Sequence, residues 1–166
     1  MSFILAAATA VFALIADQVV KYIVETNMQL GQTIGFIDGF LDFTFIYNDG
    51  GAWGILGGNR WLLLGSTAVI MTVLIIMLLK NKLKSKLFFW AVCLVVSGGL
   101  GNMIDRIFRS GKVVDFLHAT FIDFPIFNIA DCAVVIGAGL LILYFVLDII
   151  KDEKLRKAQD IERTQN

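Results

Sequence analysis

Residues 87–106 read LFFWAVCLVVSGGLGNMIDR. The stretch from Leu87 to Ile104 carries no charged residue, and it is then met by an acid and a base, Asp105 and Arg106. Its length suits the roughly 20 residues an α-helix needs to cross about 30 Å of hydrocarbon. Three more runs of this kind flank it: Phe3 to Val24, Trp61 to Leu79 and Ile126 to Ile150. The composition agrees, because 58% hydrophobic residues, only 17% charged and a mean hydropathy of +0.79 exclude a soluble domain and a disordered chain. The expected fold is an α-helical membrane protein with four transmembrane helices. Packing those helices together makes one core, so residues 1–150 are expected to form a single domain, followed by a charged tail over 151–166.

Lys80, Lys82, Lys84 and Lys86 fill the short connection between the second and third runs with no acid among them, which predicts a cytoplasmic loop. With four crossings, both termini are then cytoplasmic, and the tail, with Lys151, Lys154, Arg156, Lys157 and Arg163 among its acids, lies on that side. Glu25 to Arg60 and Asp105 to Pro125 are expected at the outer face. The first run lacks a basic leader and is too long for a secretory signal peptide, so it is read as a retained helix. The net charge of zero adds nothing about partners, and no nucleic acid is expected among them.

The outer segment over about 30–56 reads as a small sheet: Thr33 to Ile37, an Asp38-Gly39 turn, then Phe40 to Tyr47. Leu41, Phe43, Phe45 and Tyr47 alternate, giving an aromatic face that either packs in place or holds an extended peptide. The glycine-rich run from Asn48 through Gly50 and Gly51 to Ala52, Trp53 and Gly54 suits a mobile lid or a plain turn.

Polar residues recur at the outer helix ends. Asn102 and Asp105 lie three apart on one helix face, about 23 and 27 Å from its start at Leu87. Asn128 and Asp131 repeat that offset in the first turns of the fourth helix, which Pro125 is expected to open. Asp17 and Lys21 are spaced four apart, as in a structural ion pair. Ser97 with Gly101, and Ala133 with Gly137, offer close-packing pairs.

Acids near hydrocarbon usually perform a task, and three aspartates share this end: Asp105, Asp115 and Asp131. A pair that shares a proton needs a carboxyl with a raised pKa and no nearby cation. Asp105, with Arg106 beside it and Arg109 four residues on, fails that test and is read as an anchor for the helix end. Asp115 in Val113-Val114-Asp115-Phe116-Leu117 and Asp131 in Phe127-Asn128-Ile129-Ala130-Asp131 both sit in apolar surroundings. Together they would titrate as a coupled pair, the acid and base of an aspartic peptidase. Cys93 and Cys132 are not expected to pair, and no CxxC or HxxxH spacing offers a metal site.

Five ordered motifs resemble those of the lipoprotein signal peptidases, the signal peptidase II family of the bacterial cytoplasmic membrane. They are Asp17-Gln18-x-x-Lys21, Asn48-x-Gly50-x-Ala52-Trp53, Gly99-x-Gly101-Asn102-x-x-Asp105-Arg106, Val113-Val114-Asp115-Phe116 and Phe127-Asn128-x-Ala130-Asp131. The resemblance implies an endopeptidase that removes the signal peptide of prolipoproteins just before a diacylglyceryl-modified cysteine, without metal or cofactor. It makes Asp115 and Asp131 the catalytic pair. Asn102, Arg106 and Asn128 fall in the supporting polar shell, with Asn48 as a substrate contact. Gly50, Asp105, Ala130, Asp17 and Lys21 complete the expected site. The partners implied are prolipoproteins and membrane phospholipids, with the enzyme monomeric and its active site at the outer face. Cys132 stands where serine is frequent, Gly51 where alanine is, and Trp53 where phenylalanine is common.

Two other classes compete. A proton or ion conductor needs polar residues through the full thickness of the membrane, whereas the second and third runs are uncharged. A noncatalytic lipid-binding protein would use the same small-residue faces without needing two desolvated carboxyls. A thiol protease would need Cys132 and His118 together with an orienting third group, and a serine and lysine dyad is disfavoured by the depth of Ser97.

Overall fold

The computed structural model describes residues 3–51, 57–80 and 85–165, with side chains through Asp160. Ala52, Trp53 and Gly54 of the glycine-rich segment, and Lys82 and Lys84 of the basic connection, lie outside the described residues. The chain runs α1 (Phe3–Asn27), β1 (Thr33–Ile37), β2 (Leu41–Asn48), α2 (Arg60–Lys80), α3 (Lys86–Phe108), β3 (Val113–Ala119) and α4 (Ile129–Gln165). All four helices are long and apolar enough to span a bilayer. The fourth starts at Ile129 and not at Pro125, because residues just before it are drawn to the sheet: Phe127 exchanges backbone hydrogen bonds with Leu117 at 2.8 and 3.0 Å. The charged tail continues α4 as helix; its 37 residues reach about 55 Å, well beyond the hydrocarbon thickness.

Helix α3 is the axis of the bundle, with α1, α2 and α4 packed around it. Its small residues allow close approach. Ser97 Oγ donates to the Ala10 carbonyl of α1 at 2.6 Å. Gly98 lies against the Ala130 carbonyl of α4, and a Cβ there would also stand 2.7 Å from Val134 Cγ2. Gly137 returns the contact, since a Cβ on it would stand 2.7 Å from Val95 Cγ2 and 2.8 Å from the Ala91 carbonyl oxygen. The outer surface is apolar: Phe12, Val69 and Val135 are 72%, 63% and 70% exposed, whereas Asp17, Lys21 and Asp105 are fully buried. Water would reverse that distribution, and lipid explains it.

The strands form one antiparallel sheet in the order β1-β2-β3. The hairpin is present, but its loop takes three residues, Asp38-Gly39-Phe40, with Gly39 at φ 69° and Phe40 N–H closing on the Ile37 carbonyl at 2.9 Å. Phe40 is therefore a loop residue and not the first of the strand. The third strand, β3, adds to the two strands read from the sequence.

A bulge in β2 interrupts the expected alternation. Phe43 pairs with Leu117 and Ile46 with Asp115, so Thr44 and Phe45 together oppose Phe116. The extra residue reverses which faces the following side chains take. Beyond the bulge Ile46 and Asn48 share the face of Asp115; with straight pairing Asn48 would point to the other side. Phe45 instead joins Val24, Val114 and Phe116 in the core between sheet and α1.

The glycine contacts give a paired expectation. Gly98→Ala must push α4 away and should lower stability by about 1–3 kcal/mol in detergent unfolding. Gly65→Ala, at a helical position with nothing within 4 Å, should be neutral or stabilising by up to about 1 kcal/mol.

Candidate active site

Asp115 and Asp131 arrive at the site by different means. Asp115 sits in the middle of β3, 1% exposed. Asp131 is the third residue of α4, where it doubles as half of a helix cap: Asp131 N–H donates to Asn128 Oδ1 at 2.9 Å, and Asn128 N–H donates to Asp131 Oδ2 at 3.1 Å. This reciprocal pair satisfies two of the donors left open where a helix begins. Asn128 is thus the cap residue of α4 and lies just outside its first turn.

Three asparagines then present amide N–H groups to the two carboxyls. Asn128 Nδ2 donates to Asp115 Oδ1 at 2.6 Å, and Asn48 Nδ2 donates to Asp115 Oδ2 at 2.9 Å. Asn102 Nδ2 donates to Asp131 Oδ1 at 2.7 Å. Asn128 therefore touches both aspartates and holds them as neighbours. Gly50 supports Asn48 from the following turn, its N–H donating to Asn48 Oδ1 at 2.9 Å. The Gly50 carbonyl accepts from Arg106 Nη2 at 2.8 Å, which ties the glycine-rich segment to α3.

Behind the pair lies a buried cluster of charges. Lys21 Nζ is 2.9 Å from Asp17 Oδ2 and 2.9 Å from Asp105 Oδ2, all three side chains being fully buried. Arg109 reaches Asp105 at 2.6 Å and Glu25 at 2.7 Å. Gln18 Nε2 bridges Asp17, the Gly101 carbonyl and Asp105, each at 3.1 Å. The acids also hold backbone: Asp17 Oδ1 accepts from Ala130 N–H at 2.8 Å, and Asp105 Oδ2 accepts from Val114 N–H at 3.2 Å. Asp17 so anchors the start of α4, and Asp105 anchors β3 one residue before Asp115. Gly101 of α3 must stay without a side chain, because a Cβ there would stand 2.9 Å from Asp17 Oδ2 and 3.0 Å from the Ala130 Cβ.

Asp105 is the anchor that its neighbours suggested, but the compensating cations are Lys21 and Arg109. Arg106 turns the other way. It lines the cavity beside Asp115 and Asp131, and its buried Nε–H has no partner among the described residues. The expectation that no cation stands near the pair is therefore corrected, since Lys21 is close enough to draw the Asp115 pKa down. Burial nevertheless outweighs it. Desolvation and the neighbouring charge of Asp131 raise the Asp115 carboxyl from 3.8 to about 7, against the hydrogen bonds from Asn48 and Asn128.

The two aspartates stand at one end of a cavity of about 640 Å³. Asn48, Asn102 and Arg106 form its polar end with them. Leu63, Thr67, Ile70 and Met71 of α2 and Val134 and Val135 of α4 line its apolar depth, with Val95 and Gly99 of α3 between them. A polar end with two carboxyls opens onto an apolar groove, which suits an amphipathic ligand. His118 belongs elsewhere: its Nδ1 lies 3.3 Å from Thr44 Oγ1 on the sheet.

The sequence model for signal peptidase (SPase) II matches residues 9–147. The chain belongs to the signal peptidase II family. It is 41% identical to the lipoprotein signal peptidase of Enterococcus faecalis, over 80% of this chain and 81% of that one. It is 37% identical to the enzyme of the same name from Staphylococcus aureus, over 92% of both chains. Among solved structures, a bacterial membrane enzyme superposes with a TM-score of 0.82 at 40% identity, covering 89% of this chain and 88% of that one. Membership makes the chain a peptidase and a multi-pass bacterial membrane protein.

Several supporting residues were not singled out from the sequence. Gln18 stood within a quoted motif, and a lone amide in an apolar helix was its signal. Glu25 follows Lys21 by four residues, but its partner Arg109 is 84 residues away, and no local pattern announces that.

A raised carboxyl pKa carries a sign for stability. The folded state holds the Asp115 proton up to about pH 7, whereas the unfolded chain releases it near its ordinary value of about 3.9. Stability should therefore fall as pH rises through that window. Unfolding measured in detergent from pH 4 to 8 should show a slope that Asp115→Asn flattens.

Proposed function

We propose that this member of the family is an aspartic endopeptidase that removes the signal peptide of prolipoproteins, cutting just before a cysteine that carries a diacylglyceryl group. The observation behind this reading is the pairing itself: a buried carboxyl, Asp115, with its pKa raised to about 7, and a half-buried one, Asp131, bridged by Asn128 at the end of a largely apolar cavity. Near neutral pH such a pair holds one proton and one charge.

Asp115 is the natural holder of the proton, which leaves Asp131 as the base. Asp131 takes a proton from a water as its oxygen attacks the scissile carbonyl carbon. The Asp115 proton stabilises the developing oxyanion, and the Arg106 guanidinium, which lines the same cavity, adds positive charge nearby. Collapse of the tetrahedral intermediate breaks the C–N bond. The leaving amine, which becomes the N-terminus of the lipid-bearing cysteine, takes a proton from the pair. The acyl chains would stay in the apolar depth or in the surrounding lipid while the peptide lies across the polar end.

The basic loop after α2 supports placing the site at the outer face of the cytoplasmic membrane, with both termini inside. Residues 1–150 would then act as one peptidase domain working as a monomer among phospholipids, with the end of α4 as a cytoplasmic tail. No cofactor is needed for the steps above.

Cleavage of a lipidated signal-peptide substrate should fall by about 10²–10⁴-fold or more in Asp115→Asn and in Asp131→Asn. The unlipidated peptide should be a poor substrate for the wild type. Activity should decline above about pH 7 as Asp115 loses its proton. Undiminished turnover in either variant would remove that residue from the chemistry, and a wild type that never cuts the lipidated peptide would overturn the reading.

A further inference from the structure

The buried lysine is bonded to more than its ion pair. Lys21 Nζ has three protons, and the structure gives it three acceptors: Asp17 Oδ2 and Asp105 Oδ2, each at 2.9 Å, and Asn102 Oδ1 at 3.0 Å. With its donors used, Lys21 has no proton to offer a substrate. Its third bond, however, decides how a site residue is oriented.

An amide side chain can present either its oxygen or its nitrogen to a neighbour, and a carboxylate is served only by the nitrogen. Each asparagine at the site is prevented from turning over by a donor that binds its oxygen. For Asn48 that donor is the backbone N–H of Gly50, and for Asn128 it is the backbone N–H of Asp131. Among the described residues, no backbone N–H donates to the Asn102 amide oxygen. Lys21 and Asn128 Nδ2, at 3.1 Å, are the groups that hold it, and an ammonium can only donate. Turning Asn102 over would set its N–H₂ against the ammonium and its oxygen against Asp131.

We propose that Lys21 is a positioning residue for the reaction: it locks the Asn102 amide so that Nδ2 faces Asp131, and so fixes the carboxylate that acts as base. The inference rests on the aspartic-peptidase reading above. Lys21 touches neither aspartate of the pair, and its effect passes through Asn102. The Asp17 and Asp105 contacts supply the counter-charge that lets the ammonium remain in a buried place.

The test is a double-mutant cycle with kcat and KM measured on a diacylglyceryl-modified signal-peptide substrate in detergent, with folding followed by thermal unfolding. The variants are Lys21→Met, Asn102→Ala and the two combined. Lys21→Met should lower kcat at least tenfold while KM changes less than threefold, and the double variant should be no slower than Asn102→Ala alone. Because Lys21→Met leaves two buried carboxylates facing one another, the cycle is repeated in an Asp17→Asn background, with each rate read against Asp17→Asn. A folded Lys21→Met with wild-type kcat, or losses that multiply in the double variant, would overturn the inference. If Asp115→Asn and Asp131→Asn abolish cleavage in the same assay, such a result defeats only the role of Lys21; if they do not, the peptidase reading itself has failed.

Discussion

One buried ammonium holds this structure together at the end that carries the Asp115 and Asp131 pair. Lys21 reaches Asp17 one turn away on α1 and Asp105 on α3; Asp17 then caps the first turn of α4, and Asp105 receives the backbone of β3. Four elements that carry the polar site are thereby fixed to one charge. A lone lysine could not stay there, since desolvation would strip its proton or expel it. Two carboxylates make it tolerable, and a second cation, Arg109, balances Asp105. Apolar burial supplies affinity between helices, but it has no direction. The ionic cluster fixes the register of α1 against α3 and sets where β3 and α4 begin.

The proposed reactive pair, Asp115 and Asp131, depends on that fixed frame in the opposite sense. Asp105 is buried among cations and so is spent as an anchor. Asp115 is buried among amides and apolar side chains, and burial outweighs the pull of Lys21, so its carboxyl is pushed up to about 7. Equal burial with different neighbours gives the two acids different protonation behaviour, which is the basis for proposing Asp115 and not Asp105 for the chemistry. The asparagines soften the penalty of charge without supplying a counter-charge, which leaves the pair able to exchange a proton.

Much of this was legible in the chain. The four apolar runs placed the helices to within a few residues, except that α4 runs on through the charged tail to Gln165, and Asp17 with Lys21, or Asp105 with Arg109, declared their pairing through the four-residue spacing of a helix. The hairpin showed in Asp38-Gly39. What could not be read is the part carried by long-range contact. The bulge that brings Asn48 to the face of Asp115 depends on pairing between β2 and β3, which are far apart in sequence, and residues 41–47 alone show an uninterrupted alternation. The true start of α4 was hidden for a similar reason: Pro125 is a good first helical residue locally, but Phe127 bonds to β3, and Asn128 is a better cap. Arg106 was placed on Asp105 by adjacency, whereas neighbours in a helix point in different directions and its side chain turns toward the cavity.

The central claim is that Asp115 shares a proton with Asp131 near neutral pH, and infrared titration of the reconstituted protein with carboxyl-labelled aspartate reads that proton directly. The account predicts a protonated-carboxyl stretch that is present at pH 5, disappears with a midpoint near 7 and is missing from Asp115→Asn. A wild type in which Asp115 is already ionised at pH 5 would contradict it.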